Sequence, residues 1–540
     1  MNAVWVLLLH RLRRDRWQLL AWIASIGFLG FFSAVAVAQT YGDSVGREGI
    51  IRLAVANPAI LMLRGLPQGT ALDAFVFFQI FTFLALMAGL MNTFLAVRHS
   101  RAEEESGRAE LVASTPASRY SPTVATVIHA FLANVVLCAA VALGFIAGGL
   151  EPYGSLVTGA AVASTGVAFF GFGLLAAQFV RSGRAANALS SSAVVLAYLL
   201  RGLGDALGIP HADGTHMTAA WPSWFSPIGW GQQSAAYTAN NLLPLFLGLG
   251  LGALCTVTVF ALQSRRDSGS SLLAERSGRM EARPALSTSF ALAWRLQWPT
   301  IMGWCVGAAA TGVLAGSLAK LVEQAAQTNA ILGQTLRTMV AAGETSISQV
   351  LIAAMFAIVG VLAAACAVQT VVRMRQEEDS RRAELVLSTT ASRVHWLADY
   401  LLLGVVSVVL VLLTAALFAS LAVLVSGDSP ERMGDVFLAA AAQLPAALLY
   451  LGVVALLFVV VPGASTVLGW AFLGSGVFLG IFGGMIGAPE ALRNLSPFTH
   501  TPVPQGIRTN VGGGVWMVGL AVVVAAAAVV GMRRRDLHTG

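Results

Sequence analysis

Long apolar stretches without charged residues constrain this chain more than any other feature. Of its 540 residues, 57% are hydrophobic and only 11% are charged, whereas soluble domains usually carry about 25% charged residues. A bilayer core about 30 Å thick needs about 20 helical residues to cross it. Twelve stretches approach that length, six on each side of residue 270. Because backbone groups in lipid must be hydrogen-bonded within their own segment, we expect helices rather than irregular chain.

The twelve predicted spans define the expected fold class and its domains. We predict an all-α polytopic membrane protein with two parallel six-helix repeats: residues 1–267, a polar cytoplasmic linker over residues 268–289, and residues 290–540. The spans lie near Trp17–Ala38, Phe75–Val97, Val124–Gly148, Ser155–Val180, Ala185–Leu200, Leu242–Leu262, Thr300–Leu318, Val350–Val372, Tyr400–Val425, Val436–Val461, Thr466–Ile486 and Val515–Gly531.

The distribution of basic residues predicts the orientation. Of the 33 lysines and arginines, 24 fall on the side of the N-terminus and nine on the opposite side. Cytoplasmic loops carry the excess of Lys and Arg, so both termini are expected in the cytoplasm. The protein itself is expected in the inner membrane of the cell. The net charge of +7 then reflects membrane topology and contact with anionic lipid, and it gives no indication of nucleic-acid binding.

A repeated polar segment follows the second predicted span of each half. Glu103–Arg119 reads EEESGRAELVASTPASR and Glu377–Arg393 reads EEDSRRAELVLSTTASR, with 13 of 17 positions identical at a constant offset of 274. Loops normally diverge faster than the elements that they connect, yet here the loop is the best preserved part of the duplication. We infer that a partner contacts both copies in the same way.

Each copy is predicted to form one short, charged docking helix. Acidic residues occupy its first turn, where the helix dipole favours anions. The spacing predicts intrahelical ion pairs Glu104–Arg108 and Glu378–Arg382. The residues predicted to couple to a partner are Glu103, Glu104, Glu105, Arg108, Glu110 and Leu111 in the first copy, and Glu377, Glu378, Asp379, Arg382, Glu384 and Leu385 in the second.

The chain has no phosphate-binding loop of the type G-x-x-x-x-G-K-[ST]. Its single lysine, Lys320, follows Gly316-Ser317-Leu318-Ala319, which does not match that pattern. A pump built on this chain would therefore draw on a separate ATPase. Two like docking helices would suit two copies of that subunit, which would bind ATP and Mg²⁺, and no cofactor is expected in this chain.

These segments resemble the fused, double-length permeases of the ABC-2-type export family, in the actinobacterial branch labelled tetronasin or polyketide-antibiotic exporters. Glu103–Ser118 and Glu377–Ser392 are similar to the family's E-E-x-x-G-R-x-E-L coupling helix, and Trp224–Trp230 to its S-P-x-G-W element. The second half departs from the pattern, with Arg381 in place of the glycine and no Gly-Trp after Ser496-Pro497.

The resemblance implies further features. It implies a separate ABC ATPase, a surface helix before each half at Val4–Trp17 and Ser289–Trp298, and outer re-entrant segments before the sixth helix. It also implies lipophilic drugs, antibiotics or lipids as substrates. Pore-lining candidates on the second, fifth and eighth helices are Phe77, Phe78, Phe81, Met87, Met91, Asn92, Ser191, Tyr198 and Gln369. Lipid-facing or interhelical packing is the alternative for each of them.

Two other classes of protein fit parts of this pattern. A proton-driven secondary transporter shares the six-plus-six plan but would be favoured by carboxylates in mid-membrane, and the spans contain none there. An enzyme acting on lipid-linked sugars would need a catalytic cluster in a large outer loop.

Arg201 and Asp205 suggest a structural ion pair rather than a proton relay. His211, Asp213 and His216 match no known metal spacing, so no metal is expected.

Overall fold

A computed structural model describes residues 3–264, 271–272, 284, 288–328, 347–389, 391–482, 489–502 and 512–535. These residues form two compact units, Met1–Ser277 and Gly278–Gly540. In the described part of the chain, 11 helices are long and apolar enough to cross a membrane, and a shorter apolar helix spans Ser465–Gly480. The chain is a multi-pass helical membrane protein, as predicted. The parallel six-plus-six repeat and the division at residues 268–289 stay predictions.

The first unit contains eleven described α-helices and a two-stranded hairpin. Six of the helices are the candidate spans, and five are short. The antiparallel strands Ile209–Pro210 and Met217–Thr218 lie between α9 and α10. The helices are α1 Ala3–Thr40, α2 Ser44–Ala56, α3 Pro58–Arg64, α4 Leu72–Arg98, α5 Arg101–Glu105, α6 Arg108–Ala113, α7 Ser121–Ala147, α8 Pro152–Phe179, α9 Gly183–Ala206, α10 Pro227–Gln232 and α11 Leu243–Gln263.

The second unit also contains long helices, but two of its predicted spans are broken. The tenth divides into two helices around Gln443, followed by Pro445, and the eleventh ends in a π-helical turn at Phe478–Phe482. The rest of the eleventh span, residues 483–486, lies outside the described residues. The helices are α12 Ser289–Thr328, α13 Ile347–Asp379, α14 Arg382–Leu387, α15 Arg393–Val425, α16 Arg432–Ala442, α17 Leu444–Val460, α18 Ser465–Val477, α19 Glu490–Arg493 and α20 Gly512–Arg534.

The structure corrects the expectation of separate surface helices. Val4–Trp17 and the first span form one continuous helix, α1, and Ser289–Trp298 is continuous with the seventh span in α12. In α1, Leu8, Arg11 and Asp15 are buried. Arg11 and Asp15 in the first stretch have ion-pair partners inside their unit. In the second stretch, Gln297 donates a hydrogen bond to the carbonyl of Thr370. These contacts hold both stretches in line with the spans that follow them.

Small residues bring the first long helix of each unit close to the third span. A Cβ added at Gly144 in α7 would clash with the backbone carbonyl of Gly27 in α1. In the second unit, Cβ atoms at Gly312 and Gly316 would clash with the carbonyls of α15. Glycine at such positions allows two helix backbones to approach closely, which is the main source of helix association in lipid.

The repeated Ser-Pro pairs cap short helices on the side of the molecule predicted to face outward. Ser226 Oγ accepts a hydrogen bond from the Gly229 amide at the start of α10. Ser496 Oγ accepts one from the Phe498 amide at the start of the 3-10 helix Pro497–His500. A serine N-cap followed by proline is a strong helix start. A second 3-10 helix, Trp221–Phe225, precedes α10.

Candidate functional site

Each repeated segment consists of two helical pieces joined by a left-handed residue. In the first unit α5 and α6 meet at Gly107, with φ of 73°, and in the second unit α13 and α14 meet at Arg381, with φ of 57°. The predicted single docking helix is therefore wrong. Because the helix is interrupted between the partners, the predicted pairs Glu104–Arg108 and Glu378–Arg382 do not form among these described residues.

The acidic start of the first segment is bonded to the body of its own unit. Glu103 forms ion pairs with Arg11 at 2.9 Å and Arg14 at 3.3 Å, both on α1. Glu104 pairs at 2.6 Å with Arg101. The guanidinium of Arg101 also donates to the carbonyl oxygen of Ala177 at the end of α8, at 2.6 and 2.9 Å. These carboxylates fix the segment to two spans, the first through α1 and the fourth through Arg101 and α8.

A further acid of the first segment caps a neighbouring span. Glu105 accepts a hydrogen bond of 2.8 Å from the backbone amide of Gly183, the first residue of α9. The N-terminus of a helix has unsatisfied amides and a partial positive charge, so a carboxylate is favoured there. Because of this hydrogen bond, movement of the segment would act directly on the N-terminus of the fifth span.

The second segment uses other partners for the equivalent acids. Glu377 accepts a hydrogen bond of 2.7 Å from the hydroxyl of Tyr400 on α15. Glu378 pairs with Arg375 at 3.0 Å and with Arg535 at 2.5 Å. The Arg535 guanidinium also lies 4.5 Å from the ring centre of Phe458. The segment is thus tied to the ninth span, the tenth span and the residue that follows α20.

The last residue of each repeated segment contacts the last helix of its unit in the same manner. Arg119 donates a hydrogen bond to the carbonyl oxygen of Gln263, at the end of α11. Arg393 donates one of 2.8 Å to the carbonyl oxygen of Arg535, directly after α20. Basic groups are favoured at helix C-termini, where carbonyls lack partners. Each segment is therefore held at both ends.

Between these anchors, the two segments expose the same positions. Leu111 is 72% exposed and Leu385, its equivalent, is 74% exposed. Around them Arg108, Glu110, Arg382 and Glu384 are also exposed. Ala383 is buried, and Ala109, Val112 and Val386 are half-buried, so they form the inner side. We call Arg108, Glu110 and Leu111, together with Arg382, Glu384 and Leu385, the exposed face.

A cavity of about 140 Å³ lies behind the first segment. Val112, Ala113 and Arg119 line it from the segment, and Arg11 and Gln263 line it from the transmembrane body. Because this side of the segment is not tightly packed, its middle part has room to move while its ends stay anchored.

Comparison with known proteins gives the family. The family model described as "Multidrug efflux system permease Rv1217c, C-terminal domain" matches residues 8–260 and 286–533, one stretch in each compact unit. The chain belongs to this family. It is also similar to the multidrug efflux system permease protein Rv1217c of Mycobacterium tuberculosis, with 33% identity over 98% of this chain and 94% of the relative. The permease family indicates a transport subunit rather than an enzyme.

Most of the predicted pore residues of this permease are buried within its first unit. Phe77, Phe78, Phe81, Met91 and Asn92 are at most 2% exposed. The rings of Phe77 and Phe81 stack with centres 4.7 Å apart. Asn92 exchanges two hydrogen bonds with Asn134 of α7, at 2.7 and 3.1 Å. These contacts place the five side chains in the interhelical packing of the unit, and their role in transport stays a prediction.

The remaining pore candidates are only partly buried. Met87 and Ser191 are half-buried. The hydroxyl of Tyr198 donates to the carbonyl of Leu63 at 3.0 Å, and Gln369 accepts a hydrogen bond of 2.7 Å from the indole of Trp304. These four are the better positions for testing substrate contact, because truncating a fully buried Phe costs about 3–5 kcal/mol of stability and obscures any effect on transport.

The predicted ion pair at the outer end of the fifth span is present in the permease. Arg201 and Asp205 are 3.0 Å apart and fully buried. Arg201 also donates to the carbonyl of Met62 at 2.7 Å, and Gln232 donates to Asp205 at 2.9 Å. The pair thus joins α3, α9 and α10, which is a structural role.

Sequence reasoning missed one cluster altogether. Asp15, His99 and His129 converge from α1, the end of α4 and α7, with their donor atoms within 4.8 Å of one another. They are 84 and 30 residues apart in the chain, so no local spacing could reveal them. By contrast, His216 pairs with Asp213 and His211 with Thr218 in the outer hairpin.

Proposed function

We propose that this permease is the membrane-spanning subunit of an ABC-2-type multidrug exporter that is driven by ATP hydrolysis in separate subunits. Two copies of the ATPase would dock on each chain, one on each repeated segment. Multidrug efflux is the activity in the name of the Mycobacterium tuberculosis relative. The observation that carries the coupling part of the proposal is the exposed face, which recurs at equivalent positions in the two units.

The exposed face has the properties of a protein contact. A leucine about three-quarters exposed on each segment leaves a large apolar side chain in water, at a cost of about 1.5–3 kcal/mol relative to burial. Charged residues of both signs surround each leucine, as in the polar rim of an interface. The deeper acids Glu103, Glu104, Glu377 and Glu378 would hold the segments in place, and the exposed face would make the contact.

ATP and Mg²⁺ would be bound by the partner subunits. The sequence contains no phosphate-binding loop, so the chemical step lies outside this chain. Force on either segment would reach the spans through the hydrogen bonds and ion pairs that anchor it. One example is the hydrogen bond from Gly183 of the fifth span to Glu105.

The proposed orientation places both repeated segments and both termini in the cytoplasm of the inner membrane. The support is the uneven distribution of arginines, 24 of 33 basic residues on one side. Reporter fusions at residues 275 and 540 should be active only in the cytoplasm, and fusions at residues 214 and 430 only outside. An externally active reporter at residue 275 would contradict the orientation.

The test of the proposed function uses the exposed leucines. Leu111→Asp combined with Leu385→Asp should abolish copurification of the ATPase and substrate-stimulated ATP turnover, while membrane insertion stays normal. Val45→Asp is the matched control, because Val45 is an equally exposed apolar residue, 77% exposed, outside the segments. If the double variant still exports drugs and export stops when the proton gradient is collapsed, the permease is a proton-coupled secondary transporter instead.

A further inference from the structure

The cytoplasmic end of the first unit, as oriented above, contains a buried cluster that the proposed function does not use. Asp15 lies on α1, His99 follows α4 directly and His129 lies on α7. Their side chains are at most 1% exposed. Asp15 Oδ2 is in close contact with His99 Nε2 and lies 3.6 Å from His129 Nε2. Three potential ligand atoms, from α1, from α7 and from the residue that follows α4, therefore lie within 4.8 Å of one another.

His129 lacks a partner for its polar atoms. Neither of its ring nitrogens has a hydrogen-bond partner among the described residues, although the side chain is fully buried. Nearly all buried polar side-chain atoms in proteins are satisfied, and leaving one unpaired is costly. A ligand between His129, His99 and Asp15 would remove this cost.

The donor set suits a transition metal. Two imidazole nitrogens and one carboxylate oxygen are typical ligands of Zn²⁺ and related divalent ions, with a fourth position left for water or another group. These ligands bind a metal when the histidines are neutral and the carboxylate is ionised. Binding would replace the present contact between His99 Nε2 and Asp15 Oδ2 with bonds from both atoms to the metal.

The residues around the cluster already orient the ligands. His99 Nδ1 lies 3.3 Å from Glu103 Oε1, and Glu103 is held by Arg11. The second oxygen of Asp15 lies 3.0 Å from Arg98 Nε. A carboxylate on the far nitrogen of a ligating histidine is the usual outer support of zinc sites.

We propose that Asp15, His99 and His129 form a binding site for a divalent transition metal of the zinc type. Arg11, Arg14 and Arg98 add positive charge nearby, so they weaken the site relative to one without cationic neighbours. On the proposed function, the metal would set the position of the first segment through Glu103.

The second unit provides an internal contrast. At the offset of 274, Arg373 takes the position of His99 and Leu403 that of His129. Arg373 Nε lies 3.5 Å from Glu377 Oε1, and His99 Nδ1 lies at a similar distance, 3.3 Å, from Glu103 Oε1. The second segment therefore has a permanent cation beside its acid, and these two positions supply no metal ligand. Among the described residues, the site is therefore found at these positions of the first unit and not at the equivalent positions of the second.

Metal binding tests this proposal without the ATPase. The full-length permease, purified without a histidine tag and stripped with a chelator, is titrated with Zn²⁺ and, for its absorption bands, Co²⁺. Bound metal is counted by mass spectrometry. We expect one equivalent for wild type with a Kd tighter than about 10 µM. His129→Leu, which introduces the residue of the second unit, should lose it. His395→Leu, a change at an exposed histidine, should retain it.

Two further variants sharpen the result. Glu103→Gln should weaken binding about 10–100-fold without changing the stoichiometry, since it alters only the support of His99. His99→Arg, which copies the second unit, should abolish binding and serves as the alternative if His129→Leu does not fold. Absence of binding in wild type, or equal binding by wild type and a folded ligand variant, would overturn the proposal. Failure here leaves the ATPase docking experiment unaffected.

Discussion

The two repeated segments share 13 of 17 residues but are attached to their units by different chemistry. In the first, Glu103 and Glu104 are each 17% exposed and bind arginines of α1 and α5. In the second, Glu377 and Glu378 are 8% and 3% exposed and bind Tyr400, Arg373, Arg375 and Arg535. The attachments differ while the exposed faces agree, as expected if the proposed ATPase contacts both faces in the same way.

The largest difference in stability between the segments should appear when Glu104 in the first segment, or Glu378 in the second, is replaced by glutamine. Glu378→Gln leaves Arg375 and Arg535 partly uncompensated in a buried setting, at a cost of about 3–5 kcal/mol. Glu104→Gln changes a more exposed carboxylate, and its partner Arg101 keeps two hydrogen bonds to the Ala177 carbonyl, so the cost should be about 1–3 kcal/mol. Thermal aggregation of purified protein should therefore begin at a lower temperature for Glu378→Gln. The reverse order would show that the second segment is not the more firmly attached.

Smaller and equal effects are expected at the conserved end anchors. Arg119→Ala and Arg393→Ala each remove a hydrogen bond to the carbonyl end of a last helix, worth about 1 kcal/mol. Both should lower the thermal midpoint by a similar amount, and lysine at either position should restore part of it. Unequal losses would mean that the two anchors differ more than their geometry indicates.

The smallest effect concerns the left-handed residue between the helical pieces. Gly107→Arg should cost about 1 kcal/mol, because a side chain is disfavoured in that conformation; no heavy atom stands within 4 Å of an added Cβ. Arg381→Gly should relieve the same strain and be neutral or slightly stabilising. Limited proteolysis of each segment measures this, with Ser106→Ala and Ser380→Ala as controls. If Gly107→Arg abolishes folding, the space around the first segment is tighter than the structure shows.

The sequence was sufficient for the 11 long apolar helices of the described chain and for the repeated segments, because both are local signals. Uncharged stretches of about 20 residues predicted the long helices from Leu72–Arg98 to Gly512–Arg534. It was insufficient for the shape of the segments. The spacing of Glu104 and Arg108 assumed an unbroken helix, and the left-handed conformation at Gly107 and Arg381 breaks it.

Features that depend on packing between distant helices could not be predicted. Arg11 and Asp15 lie in a basic stretch that resembles a membrane-surface helix, and only the fold shows that they are buried beside His99 and His129. Similarly, Asn92 was a pore candidate by its polarity, but its partner Asn134 is 42 residues away. Neither contact leaves a periodic pattern in the sequence.

Site-specific photo-crosslinking tests the central claim most directly. A photoreactive amino acid is placed at Leu111, at Leu385 or, as control, at Val45, and the permease is produced with its ATPase in the membrane. Crosslinking at both segments, at similar yield, with none at the control is the predicted result, because both exposed faces would contact the ATPase. If neither Leu111 nor Leu385 crosslinks to the ATPase while the complex still hydrolyses ATP in response to drugs, the repeated segments are not the docking sites.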